Sequence, residues 1–265
     1  MFQIDLSNRV AAITGGSSGI GLATAQLFLQ AGAAVSICGR DAARLDAAVA
    51  DLREKFPSGR IHAHCADVTD SEQMLGFAAA TQQVFGGLDT LVNNAGQGRV
   101  STFAGTSDAS WREEFDLKLF SLIHPTRAFL PMLERSDAAA IVCVSSLLAL
   151  QPEPHMVATS AARAGALSLM HSMAVEFAPK GVRVNAILIG LVESGQWRRR
   201  YAAREERDLS WEQWSLALAQ RKGIHLGRLG RPEEAAQAIL FLGTSLSSYT
   251  TGASVDLSGG LARHL

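Results

Sequence analysis

The stretch Thr14-Gly15-Gly16-Ser17-Ser18-Gly19-Ile20-Gly21 decides the fold of this chain. It follows an apolar run, Val10-Ala11-Ala12-Ile13, which predicts a buried strand, and it leads into residues 22–30, which predict a helix. A glycine-rich turn between a strand and a helix brings backbone N–H groups close to a pyrophosphate. We therefore predict a dinucleotide site at this turn, and the alternative is a glycine-rich turn that holds no ligand. The predicted binding residues here are Gly15, Ser17, Ser18, Gly19, Ile20 and Gly21.

Strand and helix patterns alternate along the rest of the chain. Apolar or β-branched runs predict strands at 9–14, 34–38, 60–66, 88–93, 139–145, 182–188 and 253–257. Helical patterns lie near 19–31, 41–55, 71–85, 108–134, 157–178 and 232–243. This alternation predicts an α/β protein with a doubly wound, parallel, seven-stranded sheet (a Rossmann fold) and helices on both faces. Residues 1–265 form a single NAD(P)-binding domain in this prediction, with ligands at the carboxyl ends of the strands.

Residues 193–223 depart from this regular alternation. The segment carries Trp197, Tyr201, Trp211 and Trp214 among charged residues, and it is long for a connection. Long excursions of this kind often cover binding sites. We predict a lid over the substrate, and the alternative is a helical hairpin that packs on the rim or on a neighbouring subunit.

Composition limits the classes of partner. The chain has 265 residues, of which 48% are hydrophobic, and a formal net charge of −1. That charge gives no sign of a nucleic-acid or anionic-membrane surface, and no apolar run has the length of a membrane span. A small-molecule substrate is therefore the expected partner. The cysteines Cys38, Cys65 and Cys143 all fall in predicted strands, which favours buried thiols in the reducing cytoplasm.

No metal site is predicted. His62 and His64 lie two positions apart on one predicted strand, so their side chains share a face. A third ligand does not accompany them in the sequence, and a zinc site needs at least three protein ligands.

The end of the second predicted strand bears on the choice of cofactor. Gly39 stands where sites that select NAD usually place an acid for the ribose hydroxyls, and Arg40 follows it. A guanidinium matches the geometry of a 2′-phosphate, so the sequence favours NADP(H), with NAD(H) possible. The alternative for Arg40 is an exposed arginine paired with Asp41 or Asp5.

Two further strand ends complete the predicted cofactor site. Asp67 and Val68 close the third strand, where an acid can accept a hydrogen bond from adenine; the alternative for Asp67 is a turn or helix-capping role. Asn94, Ala95 and Gly96 follow the fourth strand. Small residues there let the backbone pass close to a ribose, and the amides can tie neighbouring strands together.

Together these motifs resemble the short-chain dehydrogenase/reductase family over essentially the whole chain. The resemblance includes Arg228-x-Gly230-Arg231-Pro232-Glu233-Glu234 and the run from Thr251-Gly252 to Gly259-Gly260. It implies an NAD(P)-dependent oxidoreductase that forms a dimer or tetramer through its long helices near 108–134 and 157–178. Ala158, Ala161, Ala162, Ala164 and Gly165 would permit close helix packing there, or they face the chain's own sheet.

The catalytic pattern of that family is broken in this chain. Members usually work with Asn, Ser, Tyr and Lys, and only the serine is kept, as Ser146. Thr159 stands thirteen residues later, in place of the tyrosine, and Arg163 replaces the lysine. Lys118 occupies the place of the asparagine. After the sixth strand, Gly190 belongs to the segment that usually borders the cofactor.

These replacements change the available acid–base chemistry. An aliphatic hydroxyl is a far weaker acid than a phenol, whose pKa is about 10, so Thr159 does not readily replace tyrosine. Arg163 can donate to ribose hydroxyls but stays protonated. Lys118 can restore a cation near Ser146, unless its ammonium reaches solvent past the helix. His155 suits proton transfer near neutral pH, unless it is a loop histidine without a catalytic role.

Two functions remain open on this basis. The first is an NADP(H)-dependent oxidoreductase that reduces a carbonyl group or an activated double bond with non-standard acid–base residues. The chain resembles most closely a subgroup that is like 3-oxoacyl-carrier-protein reductases but imperfect at the catalytic residues. The second is a non-catalytic NADP(H)-binding protein, a redox sensor or assembly partner, which the missing tyrosine favours.

Overall fold

A seven-stranded parallel sheet organises the molecule. The computed structural model describes residues 4–204 and 208–263. All strands are parallel, in the order β3-β2-β1-β4-β5-β6-β7. They are β1 Val10–Thr14, β2 Ala34–Gly39, β3 Ile61–Cys65, β4 Thr90–Asn93, β5 Ala140–Ser146, β6 Arg183–Ile189 and β7 Ser254–Leu257. The predicted single-domain, doubly wound sheet is confirmed.

Eight helices longer than one turn connect and cover the strands in the described residues. They are α1 Gly19–Gln30, α2 Ala42–Lys55, α3 Ser71–Phe85, α4 Asp108–Leu133, α5 Val157–Phe177, α6 Gly195–Ala202, α7 Trp211–Lys222 and α8 Pro232–Gly243. The predicted helices end within two residues of these bounds. Helices α6 and α7 form the excursion at 193–223, of which residues 205–207 lie outside the described residues.

Two apolar cores sandwich the sheet, as expected for a parallel sheet with both faces covered. On one face α3, α4 and α5 bury Phe77, Phe129 and Met170. On the other face α1 and α2 bury Phe28 and Leu52, together with the apolar side of α8. The buried sheet holds the carboxyl ends of its strands in fixed positions, so the loops that follow them converge on one edge. No helix in the ranges 4–204 and 208–263 has both the length and the apolarity of a membrane span.

The expectation of three buried thiols is wrong for one of them. Cys38 and Cys143 lie on inner strands and are buried, and burial raises the pKa of each to about 12. Cys65 is exposed, because it ends β3, the edge strand, which pairs with a neighbour on one side only. A period-two apolar pattern alone does not distinguish an edge strand from an inner one.

Candidate active site

One cleft at the carboxyl edge of the sheet brings most of the predicted site residues together. Its walls come from the loops after β1, β2, β3 and β4, from α4 and α5, and from the start of α6. The predicted residues that line it are Gly15, Ser17, Ser18, Gly19, Ile20, Arg40, Val68, Asn94, Ala95, Gly96, Lys118 and Arg163. Gly21, Asp67, Ser146, His155, Thr159 and Gly190 lie outside its lining.

The glycine turn leaves backbone donors open at the start of α1. Gly15 and Gly19 have φ of 65° and 54°, a left-handed backbone that favours glycine. Ser18 precedes α1 without a side-chain hydrogen bond to the first turn. The first N–H groups of the helix therefore have no capping side chain, and Ser18, Gly19 and Ile20, at the positive end of the helix dipole, line the cleft.

Gly21 explains why the turn lies so close to α1. A Cβ atom on Gly21 would approach the Gly15 carbonyl oxygen to 2.3 Å and Asn94 Nδ2 to 2.6 Å. Such an approach is possible only without a side chain. Gly21 therefore serves the cleft through packing, from outside its lining.

Asn94 holds the turn in place. Its Nδ2 donates to the carbonyl oxygens of Thr14 at 3.0 Å and Gly15 at 3.2 Å. In return, the Thr14 hydroxyl accepts from the backbone N–H groups of Asn94 and Ala95. The amide thus joins the ends of β1 and β4, the structural role that the sequence suggested.

A cationic pair borders the far end of the cleft. Arg40 and Arg44 both line it, and Arg44, in the first turn of α2, was not predicted from the sequence. Arg40 Nη1 lies 3.4 Å from Asp67 Oδ2, and Arg44 Nη2 lies 3.2 Å from Asp41 Oδ2. The Arg40 side chain remains 63% exposed. Its ion-pair partner is Asp67, whereas the sequence suggested Asp41 or Asp5.

Asp67 forms a turn as well as an ion pair. Its Oδ1 accepts from the backbone N–H of Thr69 at 2.9 Å and from the Thr69 hydroxyl at 2.7 Å. Burial alone would raise the pKa of Asp67, but these hydrogen bonds and the charge of Arg40 lower it overall. The cap of α3 is Asp70, which accepts from the N–H groups of Glu72 and Gln73.

The opposite end of the cleft contains a buried ion pair on α4. Lys118 Nζ lies 2.7 Å from Glu114 Oε1 and 2.7 Å from the carbonyl oxygen of Gln97. The side chains of Lys118 and Glu114 are only 5% and 2% exposed. The alternative in which the ammonium reaches solvent is therefore wrong, because a carboxylate one turn earlier holds it at the cleft wall. Sequence reasoning missed Glu114, whose signal was the i,i+4 spacing to Lys118.

Thr159 lies behind this ion pair at the start of α5. Its hydroxyl is fully buried and lies 2.5 Å from Glu114 Oε1. It also lies 3.3 Å from both the backbone nitrogen and the carbonyl oxygen of Arg99. These partners hold the hydroxyl away from the cleft.

Arg163 lies one turn after Thr159 and reaches the cleft. Its Nε is buried and has no hydrogen-bond partner in the described part of the chain. Burial lowers the pKa of Arg163 to about 10, and the negative charge of Glu114 opposes that shift. An unpartnered guanidinium N–H beside the cleft is a donor left open for a ligand.

The two serines at the end of β5 face different surroundings. The Ser146 hydroxyl accepts from the backbone N–H of Leu148 at 3.3 Å and caps a short 3-10 turn. Ser145 lines the cleft, and its buried hydroxyl has no partner within the described residues. The family pattern indicates Ser146 as the catalytic serine. Because Ser145 lines the cleft, it is a second candidate for that role.

His155 lies on the loop before α5, outside the cleft lining. Its Nε2 is 3.0 Å from Glu153 Oε2, and its side chain is 52% exposed. The same carboxylate accepts from Lys222 at the end of α7 at 3.0 Å. These contacts join the loop to the excursion and fit the non-catalytic alternative for this histidine.

The start of the excursion closes the remaining side of the cleft. Ser194, Gln196 and Arg199 line it, and Gln196 Nε2 donates to the carbonyl oxygen of Gly98 at 2.9 Å. Gly190 instead packs against Ser258, to which a Cβ would approach within 2.9 Å. Trp197, Tyr201, Trp211 and Trp214 form one aromatic cluster.

The residues of the cleft fit a dinucleotide. Glycines, which have no side chain, stand where a pyrophosphate would approach, and no side chain caps the first turn of α1. Arg40 and Arg44 supply positive charge where a 2′-phosphate would lie. The open N–H of Arg163 lies at the opposite end, where ribose hydroxyls would need a donor.

Comparisons with known proteins agree with this geometry. The family model described as short chain dehydrogenase matches residues 9–205. The 3-oxoacyl-(acyl-carrier-protein) reductase of Thermotoga maritima is 33% identical over 256 residues, which cover 97% of this chain and 98% of that protein. The chain belongs to the short-chain dehydrogenase family.

Solved structures also resemble this chain. A short chain oxidoreductase from Pseudomonas aeruginosa PAO1, described as containing an atypical catalytic center, is 65% identical in its apo form, with a TM-score of 0.96 over 98% of this chain and 100% of that chain. An NADPH-bound structure of the same description, also from Pseudomonas aeruginosa PAO1, matches at 63% identity and a TM-score of 0.95, over 99% of this chain and 100% of that chain. The L-sorbose reductase of Gluconobacter frateurii, solved with NADPH and L-sorbose, is 29% identical, with a TM-score of 0.93 over all of both chains.

Proposed function

We propose that this protein is an NADP(H)-dependent oxidoreductase that reduces a carbonyl group, or an activated double bond, of a small molecule. The observation that carries the proposal is the single cleft that joins the glycine turn and Arg40 to the buried Lys118 and Arg163. The glycine turn proposed to bind phosphate and the cationic residues near the proposed reaction site thus line the same cleft. Bound NADPH would supply a hydride to the substrate.

The residues at each end have separate roles in this proposal. The open N–H groups at the start of α1 bind the pyrophosphate, and Arg40 with Arg44 binds the 2′-phosphate. Arg163 donates to ribose hydroxyls through its free N–H. The Ser146 hydroxyl, or that of Ser145, orients the substrate oxygen. Support for NADPH also comes from the Pseudomonas aeruginosa and Gluconobacter frateurii proteins, which were solved with it.

The excursion at 193–223 is proposed to act as the lid. Gln196 bridges from α6 to the loop at Gly98, and Arg199 lines the cleft. Arg198 stacks on Trp211 at 3.8 Å and Arg200 stacks on Trp197 at 4.7 Å, so Arg199 is the member of this basic cluster that faces the cleft. A subunit contact through the same helices remains the alternative. Hydrogen exchange that slows in α6 on NADPH addition at constant oligomeric state supports the lid.

We also infer a cytoplasmic homo-oligomer, a dimer or tetramer. Ala158 and Ala162 pack into the chain's own core, whereas Ala161 and Ala164 are exposed on α5. Val175 on the same helix is 78% exposed. An exposed small-residue face with an apolar side chain suits helix packing between copies, and light scattering measures the resulting mass. The three free cysteines agree with a reducing compartment.

One experiment tests the activity. NADPH oxidation is followed with a panel of ketones, diketones, quinones and enones, after NADPH binding has been measured by fluorescence. Turnover of any panel compound supports the reductase. Tight NADPH binding without turnover of any compound overturns it.

That second result would favour a non-catalytic NADP(H)-binding protein, a redox sensor or assembly partner. The specific observation in its favour is Thr159, which replaces the family's tyrosine and whose hydroxyl is buried against Glu114. A binding protein needs no proton donor at that position. Its cofactor residues would be the same as those of the reductase.

A further inference from the structure

The position that normally supplies the proton in this family has no usable acid in this chain. The Thr159 hydroxyl is fully buried, outside the cleft lining, and within 2.5 Å of Glu114 Oε1. An aliphatic hydroxyl is also a weaker acid than a phenol. A reductase built on this cleft therefore needs another group that carries a proton and faces the substrate.

Lys118 meets both requirements. It lines the cleft, and Glu114 and the Gln97 carbonyl accept two of the three N–H donors of its ammonium, each at 2.7 Å. The described residues supply no acceptor for the third donor, which leaves it for a substrate oxygen. The ammonium is held by two fixed acceptors, so its position does not depend on a long, mobile side chain.

The burial of Lys118 and the cations near it favour reversible loss of its proton. Burial and the positive charge of Arg163 lower the pKa of Lys118 to about 8, against the opposing effect of Glu114. The groups that face it are Glu114 on its own helix, Arg163 on α5 and Arg99 from the preceding loop. A general acid is most effective when its pKa lies near the working pH.

We propose that Lys118 delivers the proton to the substrate oxygen and that Glu114 positions it, which rests on the proposed reductase function. The hydride adds to the carbonyl carbon, and the electron pair of the C=O π bond moves onto oxygen. That oxygen takes a proton from the Lys118 ammonium, and the electron pair of the broken N–H bond stays on Nζ. The carbonyl carbon would thus be reduced at the expense of the bound NADPH that would supply the hydride, and the neutral amine regains its proton from water. Lys118 is the catalytic residue, and Glu114 and Thr159 are positioning residues.

The chain is well suited to a direct test, because it contains four lysines, Lys55, Lys118, Lys180 and Lys222. NMR of protein labelled at the lysine ε-carbon follows each of them through a pH titration without substrate or cofactor. The signal lost in Lys118→Met is expected to titrate near pH 8 in the wild type. The midpoint of this signal falls in Glu114→Gln, because that change removes the stabilising carboxylate. It stays closer to the wild-type value in Glu114→Asp, which keeps a carboxylate. It rises in Arg163→Gln, because that change removes a neighbouring cation.

Kinetics on a panel carbonyl compound form the second arm. Since the protonated amine is needed, wild-type kcat/KM, which reports the free enzyme, falls as the pH rises through the Lys118 midpoint, and the Glu114→Gln profile shifts together with the NMR midpoint. Lys118→Met lowers kcat by about 100-fold or more, the usual range for loss of a general acid, and keeps NADPH binding. Lys55→Met, which removes an exposed i,i+4 ion pair with Asp51 on α2, is the matched control and keeps the wild-type rate.

The outcomes separate the two proposals. A wild type that does not bind or oxidise NADPH contradicts the proposed function, whereas a Lys118 midpoint near an ordinary lysine value of about 10.4 overturns the present inference by itself. A Lys118→Met variant as fast as the wild type also overturns it. If burial of an unpaired Glu114 prevents that variant from folding, the double variant Glu114→Gln/Lys118→Met removes both charges and gives the same kinetic test.

Discussion

Arg40 and Asp67 form an ion pair across the ends of the neighbouring strands β2 and β3, with Arg40 Nη1 3.4 Å from Asp67 Oδ2. Gly39 precedes Arg40 and offers no carboxylate, so a 2′-phosphate at this place would meet the guanidinium groups of Arg40 and Arg44, which both line the cleft. The carboxylate of Asp67 is bound to Thr69 and holds Arg40 over the edge of the cleft. The ion pair therefore fixes the position of an arginine whose side chain is 63% exposed.

Reversing the charge of Arg40 is expected to weaken NADPH binding. Arg40→Asp removes a charge-assisted contact of about 1.5–3 kcal/mol, which corresponds to a loss of roughly 10- to 100-fold in affinity. NADH affinity should stay equal or improve, because an acid now faces the ribose hydroxyls. Fluorescence titration of both cofactors measures the effect. Arg53→Asp, in the last turn of α2, is the matched charge reversal. An equal loss of NADPH affinity in that variant would show that net charge, and not a contact with Arg40, causes the effect.

Gly21→Ala tests the close packing of the glycine turn. Its Cβ would approach the Gly15 carbonyl oxygen to 2.3 Å, so the turn or α1 must shift, at a cost of about 1–3 kcal/mol in unfolding free energy. NADPH binding is expected to weaken as well, because the proposed phosphate donors lie in this turn. Urea unfolding and cofactor titration report the two effects. Gly87→Ala has no heavy atom within 4 Å of its Cβ, and wild-type behaviour is expected of it.

The thiols are expected to differ in reactivity. Cys65 is exposed at the edge of the sheet, whereas Cys38 and Cys143 are buried and burial raises the pKa of both to about 12. A thiolate is the reactive form, so the native protein should react with a thiol reagent at Cys65 alone, and the denatured protein at all three positions. Mass spectrometry of the modified peptides identifies each site. Rapid native labelling of Cys143 would contradict the described core.

Glu234 is expected to contribute stability that disappears in acid. Its carboxylate accepts from Arg228 Nη2 at 2.6 Å and from the Arg231 backbone N–H at 2.8 Å, and the Arg228 guanidinium is the main cause that lowers its pKa to about 2. Because the folded-state pKa is below the unfolded value, this stability is present above about pH 4.5 and is lost as the pH falls toward 2.

The corresponding variant is Glu234→Gln. It should lower the free energy of unfolding by about 1 kcal/mol at neutral pH, a value reduced by solvent screening at this partly exposed site. The difference from the wild type should shrink on acidification, as measured by urea unfolding at several pH values. Glu233→Gln, its neighbour, is the control, and a difference that is independent of pH would rule out the ion pair as its cause.

Much of the fold follows from the sequence, because buried parallel strands are continuous apolar runs separated by helical periods. The position of the glycine turn at the cleft could also be predicted, since the turn depends on backbone conformation that glycine allows. Glu114 was not foreseen, because its importance depends on burial and on contacts to Lys118 and, from another helix, Thr159. The exposure of Cys65 likewise depends on strand order, which the local pattern of β3 does not contain.

The most direct test of the account is a side-by-side calorimetric titration of the wild-type protein with NADPH and NADH. The glycine turn, Arg40 and Arg44 predict one NADPH site for each chain, with a dissociation constant about 10-fold or more below that for NADH, since a charge-assisted phosphate contact contributes about 1.5–3 kcal/mol. Equal affinities for the two cofactors, or no heat of binding with either at two temperatures, would contradict the account.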